Sequence, residues 1–533
     1  MKMSRRELLA STLAAGTLAS AGFGEAQAQA TPKKGGTLVA TWGGFEPQAL
    51  FVPAGGGSSP YFTSTKVLER LLKLDNKLVF QPVLALEVTP AADFRSYTIK
   101  LRPDVKWHDG RDFTADDVVF NALEYWKPIS SGGALAGLTS AEAVDKLTVK
   151  FSFKDPTPEF FLKSVLAGKA GLVIPKHVYE GSNIITNPAN NALVGTGPYK
   201  VKQWVRGSHV ELARNEAYWA PGLPYLDQLV IRWWRDPASR SAALEAGQLD
   251  IGVFNPIPAP DLKRLEATKR FAVTTDGYLS SAWISTIEFN SRRPVVSRPE
   301  VRQALLHAID RDFIADTIFF GRAKPSIGFI PASNPLFSNP KAPQYPFDPK
   351  KAGKLLDAAG FPVKGGSRFK VNLVAAGWFE ENVKLGQYVK QALEDVDVTV
   401  DLAIPDRATS LKRIYSDYEY DIAISNNSGA IELIPGWTNF VTTSGIVKGA
   451  AFRNANGYSN PTLDGIVSNL TTEVDEKKRA GLAHEFVRIA ATDLPITGLV
   501  DIQSVTIARS DVRNHSNLAD YLGESWSDVW LDR

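Results

Sequence analysis

"SYTIKLRPDVKWHDGRDFTADDVVF", residues 96 to 120, decides how the rest of the chain is read. Its first part alternates polar and apolar residues at period two, as a half-buried strand does, and stops at Asp109-Gly110, where glycine accepts positive φ and aspartate bonds its own backbone. Thr114 then precedes an apolar-periodic run, with Asp117 three residues on. That is the arrangement of a helix N-cap with a capping-box partner, and Asp116 and Asp117 suit the positive end of the helix dipole. The stretch also crowds His108, Asp109, Asp112, Asp116 and Asp117 into ten positions. As a metal site it lacks a second histidine at i+4 and a loop of EF-hand spacing. Its carboxylates are therefore assigned to a strand, a turn and a helix start.

Working outward, strands and helices alternate. "GGTLVATW" (35–42) and "KLTVKFSF" (146–153) read as strands, and "TSTKVLERLLKLDNKLVFQPVLA" (63–85) reads as a helix running into a strand, an Asp75-Asn76 turn and a further extended piece. Helical periodicity recurs in "ADDVVFNALEYW", "PEVRQALLHAIDRDFIADTIF", "PKKAGKLLDAAG", "ENVKLGQYVKQALED" and "EKKRAGLAHEFVRIAA". The alternation predicts an α/β fold, and 533 residues at about 100 to 200 per domain predict two to four domains.

With 44% hydrophobic residues, 22% charged residues and 12 tryptophans, the composition is that of a globular protein. A formal net charge of +3 without a Lys/Arg stripe gives no nucleic-acid footprint, so no nucleic-acid partner is expected. Cysteine is absent, which removes thiolate metal sites and Cys nucleophiles. The first 30 residues combine Lys2, Arg5 and Arg6 with a weakly apolar stretch from Leu8 to Phe23 and small residues at Ala26, Ala28 and Ala30. They read as an export signal cleaved at Ala28 or Ala30, and the paired arginines of "SRRELL" fit the twin-arginine pattern. The expectation is a soluble, periplasmic, monomeric protein.

Five stretches in one order carry a resemblance. Besides residues 96 to 120, they are "LVGTGPYKVKQWVRGSHVELARNEAYW" (193–219), "RDPASRSAALEAGQLDIG" (235–252), "FNSRRPVVSRPEVRQALLHAIDRDFI" (289–314) and "FDPKKAGKLLDAAGF" (347–361). Together they resemble the family 5 extracytoplasmic solute-binding proteins, which serve ABC importers of dipeptides, oligopeptides and nickel. The resemblance implies an α/β periplasmic-binding-protein fold of type II, with two lobes that close on a small-molecule solute and present it to the permease subunits of an inner-membrane ABC transporter. It implies a first lobe from 31–65, 190–284 and 500–533, an inserted subdomain at 66–189 and a second lobe at 285–499.

By position against the family, Trp42, Gly43 and Gly44 follow the first strand, Tyr278, Ser281 and Trp283 approach the crossover into the second lobe, and Trp378 and Phe379 follow the strand "KVNLVAAG". Aromatic walls with a few fixed polar groups supply burial and orientation in such a cleft. Peptide binders of the family place G-W-x-x-D after a strand ending Y-D-hydrophobic, and the Asp pairs with the peptide ammonium. This chain keeps Tyr420 and Asp421 but sets Asn426, Asn427, Ser428, Gly429 and Ala430 over that motif. Unless Glu432 substitutes, an ammonium would have no partner, which points to an opine-like, oligosaccharide-like or modified peptide-like solute. A hydrolase or a ligand sensor on the same fold is the alternative. The chain has no G-x-S-x-G, H-E-x-x-H or P-loop, and its six histidines are scattered. No catalytic residue, cofactor or metal is expected.

Overall fold

A computed structural model describes residues 31–43, 45–55, 58–130, 133–429, 431–434 and 436–533, with Ser281 described by its backbone alone. The export-signal reading of residues 1 to 30 lies outside them. The first sheet has seven strands in the order Phe271–Thr274, Thr506–Arg509, Ile251–Val253, Thr37–Trp42, Gln228–Arg232, His209–Arg214, Tyr199–Val205. Its central strand, Thr37–Trp42, runs parallel to both neighbours, so their carboxyl ends open on one edge. The second sheet has six strands in the order Ala323–Pro325, Ile496–Ile502, Ala282–Phe289, Ile422–Gly429, Phe369–Ala375, Val398–Ala403. It begins at Ala282 and ends at Ile502, where the sequence reading drew the second lobe from 285 to 499. Between these sheets the chain passes directly twice, from Thr274 to Ala282 and from Ile502 to Thr506.

A third, four-stranded antiparallel sheet (Ala85–Pro90, Ser96–Leu101, Thr148–Phe153, Leu138–Asp145) carries the stretch quoted first. There Gly110 takes φ +90°, the helix Ala115–Phe120 starts at Thr114, and the Thr114 amide donates to Asp117 Oδ2 at 3.0 Å. The other polar groups are equally local. Asp109 meets His177 Nε2 at 2.6 Å, Asp112 meets Lys106 and Lys146, and His108 accepts the Gly195 amide at Nδ1 and bonds the Gly197 carbonyl through Nε2. Burial pushes the His108 imidazole down to about 4, so it is a neutral clamp on the 195–197 turn.

The helix expected from residue 63 onward ends at Ser64. Past that point the backbone is claimed from elsewhere: the Gly197 amide bonds the Val67 carbonyl, Tyr199 bonds Lys66, and Val173 bonds Glu69. Glu69 is buried where two quoted stretches meet, accepting from Tyr218 Oη at 2.7 Å, Trp219 Nε1 at 2.8 Å and Thr196 Oγ1 at 2.9 Å. Burial raises its carboxyl to about 7 despite these donors. The folded chain therefore holds a proton there that the unfolded chain releases near pH 4.3. The stabilisation linked to it is full below that pH and is lost as pH rises through 7. Glu69→Gln removes this dependence, so the variant should gain stability relative to wild type between pH 5 and pH 7.5, by up to about 3 kcal/mol. Urea unfolding of both chains at the two pH values measures it, and an unchanged difference counts against the raised carboxyl.

Candidate functional site

The carboxyl edge of the first sheet ends in Trp42, whose ring stacks on Phe254 at 5.9 Å and 15°. Gly43 follows because nothing larger fits: a Cβ there would stand 2.6 Å from the Phe254 carbonyl oxygen. Gly44 lies outside the described residues. Phe254 and Asn255 both take positive φ (61° and 52°), an excursion held by the Phe254 amide on Tyr278 Oη at 2.9 Å and by a two-way exchange between Asn255 and Val505. Tyr278 is thereby committed to the scaffold. Its hydroxyl also meets Thr506 Oγ1 at 2.7 Å, and its ring stacks on Tyr521.

From Phe254 the aromatic row continues into the second sheet. Trp283 meets Phe254 edge-on at 5.2 Å and Phe379 at 5.9 Å and 80°. Trp42, Trp283 and Phe379, chosen from sequence in three separate segments, thus share one contact chain through Phe254, which the sequence did not single out. Trp378 faces elsewhere: it packs on Phe452 at 6.3 Å, and the exposed Arg407 guanidinium lies 5.5 Å from its ring centre.

The strand Ile422–Gly429 supplies the polar side of this edge. Residues paired across an antiparallel ladder share a face, so Asn426 lies with Ser285 and Ser428 with Trp283, while Asn427 lies with Ile284 on the opposite face. Asn427 donates Nδ2 to Thr286 Oγ1 at 2.8 Å, Thr286 donates to the Ser425 carbonyl, and Asn427 Oδ1 is left without a partner. Asn426 and Asn427 are buried, whereas Ser428 is exposed. Ala430 lies outside the described residues, and of the Ser281 side chain nothing is described.

Several of the buried polar atoms without a partner lie on these strands and on the helix beside them. They include Trp42 Nε1, Ser285 Oγ, Asn382 Oδ1, Asn426 Oδ1, Asn427 Oδ1 and Asp501 Oδ1. Such atoms are uncommon in folded proteins, and each calls for an explanation. Asp501, at the end of Ile496–Ile502, accepts the Ala332 amide at Oδ2 (2.7 Å), and burial raises its carboxyl to about 6. Sequence reading missed it because "LVDIQ" reads as ordinary strand. Glu432 is not available as a substitute for the absent aspartate: Arg479 grips it through both nitrogens at 2.6 and 3.1 Å, and the Leu433 amide adds a third bond. A separate cavity of about 120 Å³ lies beside Glu69, Tyr218 and Trp219, away from the aromatic row.

A model of the bacterial extracellular solute-binding proteins, family 5 (middle), matches residues 79–445. Glutathione-binding protein GsiB of Escherichia coli O1:K1 / APEC is 30% identical over 341 residues, which span 63% of this chain and 63% of that relative. Among solved structures, NikA from Brucella suis in complex with Fe(III)-EDTA superposes with a TM-score of 0.81 at 22% identity, covering 93% of this chain and 100% of that one. MoaA from A. tumefaciens R10 in complex with mannopinic acid superposes with a TM-score of 0.77 at 23% identity, covering 94% and 100%. These likenesses agree with the two-lobed α/β architecture expected from the sequence.

Proposed function

The chain belongs to the bacterial extracellular solute-binding proteins of family 5, and from that premise we propose that it captures a solute between its two large sheets and delivers it to the permease of an ABC importer. The carrying observation is the Trp42–Phe254–Trp283–Phe379 row, which runs from one sheet to the other beside unpartnered polar atoms. Two sheets joined by short direct crossings can act as lobes that close on a ligand, with the aromatic row as wall and the polar atoms as orienting groups. Ligand-dependent closure of a monomer is all the chemistry this requires.

On this reading residues 1 to 30 export the chain to the periplasm by the twin-arginine route. The solute is opine-like, oligosaccharide-like or peptide-like, and the burial of Glu432 against Arg479 supports a solute not anchored by a free ammonium at the family's usual place. Asp501, register partner of Ile284, favours a second reading in which a basic group of the solute sits on the neighbouring strand.

A thermal-shift screen with glutathione, mannopinic acid, oligosaccharides and short peptides tests the proposal. A true solute at 100 times its Kd should stabilise the folded chain by about 2.7 kcal/mol, with no product formed. Trp283→Ala should weaken any such solute at least about tenfold, since one lost aromatic contact is worth about 1.5 to 3 kcal/mol. Turnover of the solute, or undiminished binding by both Trp42→Ala and Trp283→Ala, would count against it.

A further inference from the structure

Next to Trp283 along its strand, toward the core, stand side chains whose oxygen atoms bond nothing: Ser285, Asn426 and, on the covering helix, Asn382. Ser285 pairs with Asn426 across the ladder. One rung deeper on the same face, Ile287 and Ile424 belong to the apolar core, and one rung outward stand Trp283 and Ser428. The helix Glu380–Glu394 covers this face: a Cβ on its Gly386 would stand 2.5 Å from the Ala375 methyl, and Ala375 is the register partner of Ile424. Asn382, one turn earlier on that helix, donates Nδ2 to the carbonyl of Ala376, whose own amide bonds the Ile424 carbonyl at 3.0 Å, so it caps the same end of the sheet.

All three are nine-tenths or more buried, with relative exposures of 0% for Ser285, 0% for Asn382 and 5% for Asn426, and Ser285 Oγ, Asn382 Oδ1 and Asn426 Oδ1 have no partner. For Asn382 the acceptor is fixed, because the carbonyl it bonds requires the NH₂ group. A polar rung set directly above an apolar one costs stability unless something completes it. We infer that this rung is a recessed subsite for an uncharged group bearing hydrogen-bond donors, a hydroxyl or a primary amide, inserted between the Trp283 and Phe379 rings; the inference rests on the solute-binding reading above. A carboxylate would face acceptors with no cation among them, and an ammonium would be buried without a counter-charge. A hydroxyl gives one hydrogen to an asparagine oxygen and accepts one from Ser285.

The experiment uses the full chain and two solutes of equal charge and length, mannopinic acid, whose six-carbon chain is hydroxylated, and N-hexylglutamate, whose chain is bare. Mannopinic acid should bind at least ten times more tightly by calorimetry, and Ser285→Ala should cut that preference to under threefold. Because Ser285 Oγ bonds nothing, the same variant should unfold at the wild-type urea concentration or above it. N-hexylglutamate binding as tightly as mannopinic acid, an intact preference in Ser285→Ala, or a clear loss of stability in that variant overturns the subsite. Binding of glutathione or a tetrapeptide with neither glutamate conjugate bound also overturns it while leaving the transport reading standing. Binding of none of the four, nor of any oligosaccharide in the thermal-shift screen, overturns both.

Discussion

Gly195→Ala is expected to yield no folded protein. A Cβ at this position would stand 1.8 Å from the Val67 carbonyl oxygen, 2.6 Å from its carbon and 3.2 Å from the Leu68 nitrogen. All three are backbone atoms, so no rotamer can clear the way. Nor can the turn retreat, because His108 holds it by a bond to Gly195 N at 3.2 Å and a bond from its own amide to the Gly195 carbonyl at 2.8 Å. Next to it Gly197 N bonds the same Val67 carbonyl at 2.9 Å. Ordinary overpacking costs about 1 to 3 kcal/mol through side-chain shifts. Here the backbone contact between the 195–197 turn and Val67 must come apart, and the loss should exceed that range. Soluble yield and near-ultraviolet circular dichroism read the outcome, and a Gly195→Ala chain that melts like wild type would show that the approach at Val67 is not as close as described.

Glu432→Ala should cost about 3 to 5 kcal/mol, the range for stranding one member of a buried ion pair. Glu432 is 4% exposed and Arg479 5% exposed, so the guanidinium left behind has no water to turn to. It keeps its bond to the Leu470 carbonyl but loses both carboxylate contacts. The Leu433 and Ile434 amides lose their acceptor as well. Replacing both partners with apolar residues, Glu432→Leu with Arg479→Met, should recover much of the loss, because the desolvation of two charges disappears with them. Urea unfolding distinguishes this structural role from a ligand role: a Glu432→Gln chain of wild-type stability but weakened solute binding would place the carboxylate in the site instead.

What the sequence disclosed depends on how far each feature reaches along the chain. The capping box at Thr114 and the turn at Gly110 are legible because their partners lie within a few residues. The helix expected to run on from residue 63 has the right local periodicity and past Ser64 loses to bonds that residues 173, 197 and 199 make to its carbonyls. Trp42, Trp283 and Phe379 could be chosen by position against the family, but Phe254, which joins two of them, sits in an irregular turn that no periodicity marks. Glu432 read as a spare acid because Arg479 lies 47 residues on. Ser285, Asn382 and Asn426 acquire meaning only from the ladder register and from the helix laid over it.

The strand order of the first sheet bears on how the protein comes into being as it leaves the ribosome. Thr506–Arg509 lies between Ile251–Val253 and Phe271–Thr274, and Phe271–Thr274 pairs with no other strand. The second sheet, drawn wholly from residues 282 to 502, can be finished while the first, begun at residue 37, still has a gap one strand in from its edge. From residue 274 until residue 506 the nascent chain therefore carries two unsatisfied strand flanks, and its first-begun large sheet closes only after the second is complete.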